Sequence, residues 1–226
     1  MNFGEKVLRF NRWMILNKPV VPKSVELLVP FATPDVIKIH QSFYSKYYND
    51  TVDRYFLLGI NPGRFGAGIT GIPFTDPVNL AADAGIANSF NPKAELSSYF
   101  MHRMMTSMGG LDVFYHSFYI TAVCPIGFVR NGINLNYYDD QKLYKSVEPF
   151  LVKAIERQLK FGCKTEQAFV IGEGKNMEVF SKLNDKFGWF GRINGLPHPR
   201  FIMQYRRKQM DEYLELYTKQ LKPWMA

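Results

Sequence analysis

Two turns in this chain combine residue types that could bind a ligand and act on it. The first, Asn61-Pro62-Gly63-Arg64-Phe65-Gly66, follows the uncharged apolar run Tyr55–Ile60. Such a run is typical of a strand that is buried on both faces. Glycine at the carboxyl end of a strand lets a ligand approach bare backbone N–H groups. The segment therefore predicts either a ligand-binding loop or an ordinary strand-to-helix turn, and the spacing alone does not separate the two.

The second turn is Pro197-His198-Pro199-Arg200, after a predicted strand over residues 189–196. The two prolines restrict the backbone of His198 and so direct its side chain. The other three histidines, His40, His102 and His116, fall in predicted helices or at a helix–strand junction, where we expect structural roles. His198 is therefore either a functional imidazole or a surface histidine in a stiff turn.

Three common sites are excluded at the first turn. Its glycines at 59, 63 and 66 do not fit G-x-G-x-x-G, so a dinucleotide fingerprint is absent. No Gly-Lys-Ser/Thr follows, as a P-loop would require, and no serine occupies a G-x-S-x-G elbow.

Composition limits the remaining classes. The chain has 226 residues, of which 46% are hydrophobic and 21% charged, which is enough for one α/β domain with a sizeable core. A net charge of +8 favours a polyanionic partner such as nucleic acid. Two cysteines cannot build a Cys-rich zinc site or an iron–sulfur cluster, and we expect no cofactor and no metal. No signal peptide or membrane-length apolar run is present, so we expect a cytoplasmic protein.

The elements that position the two turns alternate along the chain. We predict strands near residues 55–60, 117–123, 167–172 and 189–196, separated by helices, with a polar loop over Gly127–Asn136. A last helix from about Phe201 would carry Arg206-Arg207-Lys208. This order predicts a three-layer α/β/α sandwich around a four-stranded, mainly parallel sheet. We expect one domain over 1–226, with a helical extension of about 1–50 and a core of about 51–226.

The carboxyl ends of parallel strands meet at one edge of a sheet, which is where ligands bind in open α/β folds. Asn61 and His198 should therefore lie on the same edge. Cys124-Pro125 and Gly172-Glu173-Gly174-Lys175 follow two other strands and should join them there.

A resemblance to a known family rests on these motifs. The segment Gly59–Gly66, continued by Thr70-Gly71-Ile72-Pro73-Phe74, resembles the first motif of the uracil-DNA glycosylase superfamily. It is most similar to a bacterial branch of the single-strand-selective monofunctional (SMUG) type. Pro197-His198-Pro199-Arg200 is similar to a shortened form of the second motif, His-Pro-x-Pro-Arg. The likeness extends over roughly residues 50 to 215.

The resemblance implies a monofunctional DNA glycosylase of base excision repair. Asn61 would hold the attacking water, and His198 would bind the pyrimidine O2 as negative charge develops there. Phe74 would stack on the flipped base, and Ile60, Gly63 and Thr70 would also contact the substrate. An amide cannot take up a proton, so Asn61 could orient water but could not be a strong base. No lysine occupies the water-holding position, so no strand-cleaving lyase step is expected.

One departure from the family pattern concerns base recognition. Ala122 stands where the SMUG type has an asparagine that reads the uracil edge, and alanine has no donor or acceptor. We therefore expect excision of uracil from a roomier pocket that could also accept xanthine or hypoxanthine. The adjacent Thr121 should point to the other face of its strand.

The segment after the second motif is the candidate DNA contact. Arg200, Tyr205, Arg206, Arg207 and Lys208 combine basic and apolar character, as phosphate contacts beside a wedge would require. The other interpretation is a C-terminal helix with a solvated basic face. We expect a monomer that acts on DNA containing deaminated bases, and no membrane partner.

Two rival functions remain. A non-catalytic nucleic-acid-binding protein could retain the fold, which Ala122 favours and which Asn61 and His198 oppose. A hydrolase of small nucleotides would need a carboxylate pair or metal cluster, and the motifs contain neither.

Overall fold

The computed structural model describes residues 1–225 of the chain. The strands are β1 Glu26–Leu28, β2 Arg54–Gly59, β3 Phe118–Ala122, β4 Gly127–Arg130, β5 Ile133–Leu135, β6 Cys163–Ile171 and β7 Arg192–Leu196. The α-helices are α1 Phe3–Leu16, α2 Pro34–Tyr47, α3 Ala67–Thr70, α4 Pro77–Ala82, α5 Leu96–Ser107, α6 Leu111–Ser117, α7 Gln141–Leu159, α8 Lys175–Phe187, α9 Pro199–Tyr205 and α10 Met210–Leu221. Short 3-10 helices occupy Pro30–Ala32, Arg207–Gln209 and Lys222–Trp224.

Four strands form the central sheet in the order β3-β2-β6-β7, and every neighbouring pair is parallel. All six residues of β2 are buried, and five of them belong to the uncharged run that begins at Tyr55, as that run predicts. The register places Gly59 beside Ala122, so the carboxyl ends of β2 and β3 are level. The predicted four-stranded parallel sheet is therefore confirmed.

Aromatic side chains cover both faces of this sheet. On one face Tyr119 packs against Phe3 of α1 and Phe56 of β2. On the other, Phe169 packs against Phe118 and Trp224. Because neighbouring residues of a strand point to opposite faces, each strand contributes to both layers. This confirms the predicted three-layer α/β/α sandwich.

The expectation of a polar loop over Gly127–Asn136 is wrong. This segment forms the hairpin β4–β5, and β1 pairs with β4 to complete a second, three-stranded antiparallel sheet. Arg130 pairs with Ile133, which leaves Asn131 and Gly132 as a two-residue turn with φ of 51° and 72°. Asn-Gly is the dipeptide that tolerates positive φ at both positions of such a turn.

The predicted last helix is also divided. Helix α9 ends at Tyr205, and α10 begins at Met210. The basic residues Arg206, Arg207 and Lys208 therefore lie in the connection rather than on a continuous helix.

A buried arginine at the start of β2 ties the amino-terminal helix to the sheet. The fully buried Arg54 guanidinium makes two 2.8 Å bonds to the carboxylate of Asp50 and donates to the carbonyl of Tyr115 at 2.7 Å. It also lies 4.7 Å from the ring centre of Phe3 and 4.8 Å from that of Tyr48. Partial burial alone would raise the pKa of Asp50, but hydrogen bonds from Arg54 and the Val52 N–H hold it below its usual value of 3.8.

Replacing Asp50 by alanine should cost about 1–3 kcal/mol of unfolding free energy at pH 7, because the buried Arg54 loses its charged partner, while the 34% exposure of Asp50 limits the strength of the pair. The depressed pKa means that the ion pair stabilises the fold above pH ~4 and loses this effect as the pH falls further, so the two proteins should converge in acid. Denaturant unfolding at pH 7 and near pH 3 measures both effects. The exposed Asp53→Ala is the control and should change stability by no more than about 0.5 kcal/mol.

Candidate active site

A cavity of about 370 Å³ opens at the carboxyl edge of the central sheet. It is lined by both turns that the sequence singled out, together with Phe74 from the loop after α3 and Ala122 from the end of β3. Ile60 and Gly63 also line it. The parallel sheet therefore brings Asn61 and His198 to one cavity, as expected.

The side-chain amide of Asn61 is fixed by two backbone groups. Its Oδ1 accepts the N–H of Tyr137 at 3.0 Å, and its Nδ2 donates to the carbonyl of Leu135 at 3.1 Å and more weakly to that of Pro62 at 3.3 Å. Because a backbone N–H can only donate and a carbonyl can only accept, no other orientation of the amide satisfies both partners. The second lone pair of Oδ1 is left to accept a hydrogen bond from a water.

The hairpin that the sequence analysis missed supplies this clamp. Leu135 ends β5, and Asn134 beside it accepts the N–H of Arg64 at 3.0 Å. Gly63 lets the Asn134 side chain lie close to the backbone of the first turn, since a Cβ at position 63 would lie only 3.0 Å from Asn134 Nδ2. Tyr137 is anchored in turn by its hydroxyl, which donates to Asn176 at 2.9 Å. The Asn-Gly turn was the sequence signal that could have revealed this hairpin.

The imidazole of His198 is fixed by the helix that it begins. Its Nδ1 accepts the N–H of Arg200 at 3.1 Å, which makes His198 the N-cap of α9, with Pro199 at the first helical position. Burial of the ring, together with the positive charge of Arg200, lowers the pKa of His198 to about 4. The ring is therefore neutral at pH 7, and because Nδ1 is the acceptor, the proton is on Nε2. His198 can offer a ligand a neutral N–H donor.

Phe74 holds an uncommon backbone conformation beside His198. Its φ is 52°, which is costly for a bulky residue, of the order of 1–3 kcal/mol. Its ring centre lies 5.9 Å from that of His198, and the ring packs over Gly59, where a Cβ would lie 3.2 Å from it. The absence of a side chain at position 59 therefore allows this placement of the Phe74 ring on the cavity wall.

Thr70 does not line the cavity, which corrects the expectation that it contacts the substrate. It is fully buried, and its hydroxyl donates to the carbonyl of Thr75 at 2.6 Å. The Thr70 carbonyl faces Nε2 of the buried His40 at 3.0 Å, and His40 Nδ1 faces the amide of Asn11 at 2.9 Å. The hydrogen bonds of Thr70 thus stabilise the loop that carries Phe74.

At the end of β3, Ala122 presents only a methyl group to the cavity. The hydroxyl of Thr121 donates to Gln158 of α7 at 2.6 Å, on the other face of the strand as expected. Thr121 nevertheless borders the cavity as well, as does Tyr119 on the same face of β3.

The predicted DNA-contact residues lie at and beyond the cavity rim. Arg200 and Tyr205 line the cavity, and Tyr205 is 69% exposed. Phe201 is 43% exposed, and its ring centre lies 5.8 Å from that of Tyr205, with the two rings tilted by 43°. The Arg206 guanidinium lies 5.8 Å from the ring centre of Phe201. Arg207 and Lys208 are exposed in the connection that follows.

Two features are absent from the part of the chain that the structure describes. Residues 1–225 contain no group of three or more His, Cys, Asp or Glu side chains that could hold a metal ion. Over the same residues, no helix has both the length and the apolar character needed to cross a bilayer.

Comparisons with known proteins agree with this geometry. Residues 45–222 match the sequence model of the uracil DNA glycosylase superfamily. A solved structure of SMUG2 from Pedobacter heparinus is similar, with a TM-score of 0.95 and 41% sequence identity over 99% of this chain and 98% of that one. The search of curated proteins found no match. The chain belongs to the uracil DNA glycosylase superfamily and is a DNA glycosylase, a hydrolase that acts on N-glycosyl bonds.

Proposed function

We propose that this glycosylase removes uracil, and also xanthine and hypoxanthine, from DNA in base excision repair, as a monomer and without a strand-cleaving step. One observation carries the proposal. A fixed acceptor, Asn61 Oδ1, and a fixed neutral donor, His198 Nε2, line one cavity that is within the size range of small-molecule sites.

The two groups suit opposite needs of N-glycosyl hydrolysis. A target base must leave the duplex and enter the pocket. As the C1′–N bond breaks, its electron pair moves to the base, and the Nε2–H of His198 stabilises the charge on O2 or on the equivalent acceptor of a purine. A water held by Asn61 Oδ1 then bonds to C1′, which leaves a free base and an abasic site. Since Asn61 orients but does not deprotonate the water, base departure runs ahead of attack.

Binding of DNA would use the rim and the connection beyond it. Phe74 would stack on the flipped base, as aromatic rings do in base-binding sites. Arg200, Arg206, Arg207 and Lys208 would contact phosphates, and the exposed pair Phe201 and Tyr205 would fill the space that the base has left. The backbone N–H groups near Ile60 would add to the stabilisation of the departing base.

Ala122 is the feature that favours the non-catalytic rival of the sequence analysis, because it offers the base no hydrogen bond. Against that rival stands the fixed state of both polar side chains, which binding of the DNA backbone alone would not require.

Replacing Asn61 or His198 by alanine should each lower the single-turnover excision rate by about 100- to 1000-fold, the range seen when one positioned hydrogen-bond group is removed. DNA affinity should stay nearly the same, because neither residue is on the basic rim. Excision from a uracil-containing oligonucleotide, followed by alkali cleavage, measures the rate, and a gel shift measures affinity. The exposed His116→Ala is the control and should match wild type. Wild-type rates in both variants would show that the roles are wrongly assigned.

Replacing Ala122 by asparagine should favour uracil over the larger purines, since it adds a donor and an acceptor and narrows the pocket. Ala122→Val narrows the pocket without a polar atom, so it should reduce xanthine and hypoxanthine excision without improving that of uracil. Parallel rate measurements on the three bases give the ratios. An unchanged ratio in both variants would mean that position 122 does not contact the base.

Neutralising the basic connection, in the triple variant Arg206→Ala, Arg207→Ala and Lys208→Ala, should weaken DNA binding for all sequences alike. The slope of log affinity against log salt should fall by about 1 for each phosphate contact that is lost. Titrations at several salt concentrations measure it. Lys160→Ala, at the opposite edge of the sheet, is the control and should leave the slope unchanged. If it lowered the slope as well, the salt dependence would reflect the net charge of the protein and not contacts made by the connection.

A further inference from the structure

The cavity contains a carboxyl group that the mechanism above does not use. Glu95 lies directly before α5 and lines the cavity. Its backbone N–H donates to Asp76 Oδ2 at 2.7 Å, which fixes where the side chain begins. The carboxylate lies against Gly66, where φ is 60° and where any Cβ would overlap Glu95 Oε2. The glycine loop of the first motif thus leaves space that this carboxyl group fills.

The carboxylate is not committed to a structural role. Within residues 1–225, neither oxygen of Glu95 has a hydrogen-bond or ion-pair partner. By contrast, the neighbouring Asp76 carboxylate accepts bonds from the N–H groups of Asn79 and Glu95. Glu95 therefore keeps its oxygens available to a ligand or a water in the cavity.

No other group on the cavity wall is suited to accept a proton near pH 7. Asn61 has an amide, which has no useful basicity. His198 already carries its proton on Nε2 and uses Nδ1 to cap α9. Arg200 is a permanent cation, and burial raises the pKa of the Tyr44 and Tyr119 phenols, so both stay protonated. Attack by water nevertheless releases a proton, and that proton needs an acceptor.

The charges that face Glu95 set its proton affinity near the working pH. Burial, and after it the negative charge of Asp76, raises the pKa of Glu95 to about 7, against an opposing effect of Arg200. Arg64 and Lys93, which both lie over the ring of Phe65, are the other cations of the adjoining segments. A proton acceptor is most effective when its pKa is close to the operating pH.

We propose that Glu95 accepts the proton of the attacking water, directly or through one further water. This inference rests on the proposed function. The C1′–N bond breaks with its electron pair on the base, and the water oxygen bonds to C1′. One O–H bond of that water breaks, and its proton goes to a Glu95 carboxylate oxygen. The base anion, held by His198, is protonated by solvent, and Glu95 returns its proton to solvent.

The test is the pH profile of single-turnover excision with enzyme in excess, from pH 6 to 8.5, on a uracil-containing oligonucleotide. The wild-type rate should rise through pH about 7 and then level off, as expected for a group that must be ionised. Glu95→Gln keeps the shape of the side chain and should be flat over this range, with a plateau lower by about 100-fold or more. Glu95→Asp should keep the inflection at a reduced rate.

Glu173→Gln is the matched control, since Glu173 is exposed at the end of β6 and does not line the cavity. It should keep the wild-type profile and rate. A wild-type profile without an inflection near pH 7 overturns the inference, as does a Glu95→Gln variant that keeps the inflection or changes only DNA affinity. A wild type that removes no base overturns the proposed function itself, whereas an active wild type with an unaffected Glu95→Gln variant overturns only this inference.

Discussion

The backbone hydrogen bonds of Asn61 and His198 are the constraint on which the site depends. Each side chain makes hydrogen bonds to the protein's own main chain. These bonds determine which lone pair or proton of the side chain remains for a ligand. The amide nitrogen of Asn61 donates hydrogen bonds to carbonyls, and one lone pair on Oδ1 remains free. His198 Nδ1 accepts a hydrogen bond from the first turn of α9, and the ring proton is on Nε2. Acceptor and donor are thus set before any ligand arrives, which is the preorganisation that electrostatic catalysis needs.

The two sheets of the fold contribute to this arrangement in different ways. The parallel central sheet places the ends of β2 and β7 on one edge, which brings Asn61 and His198 to the same cavity. The last residue of the small antiparallel sheet, Leu135, and Tyr137 just after it supply the hydrogen-bond partners of the Asn61 amide. At the other end of β2, Arg54 joins the amino-terminal helix to the sheet. The strand that ends in the Asn61 turn is therefore held at both ends.

The sequence predicts those parts of this arrangement that depend on neighbouring residues, and it does not predict those that depend on residues far apart in the chain. The central sheet was predictable because buried strands such as β2 have a local apolar pattern, and Asn61 and His198 were predictable because turn residues surround them. The clamp on Asn61 was not, since its partners are main-chain groups more than 70 residues away and have no side-chain signature. The hairpin was missed because polar residues obscured the Asn131-Gly132 turn. The expected substrate contact of Thr70 was wrong because its hydroxyl binds a carbonyl of its own loop, and the local sequence carries no signal for that bond.

The central claim is that His198 is neutral at physiological pH, with its proton on Nε2 and its other nitrogen committed to α9. Nitrogen-15 NMR of the histidine rings across pH 5 to 8 measures this directly. The His198 signals should keep the shifts of the Nε2–H form throughout, because burial lowers the pKa of the ring to about 4. A ring that titrates near pH 6.5, or that carries its proton on Nδ1, would contradict it.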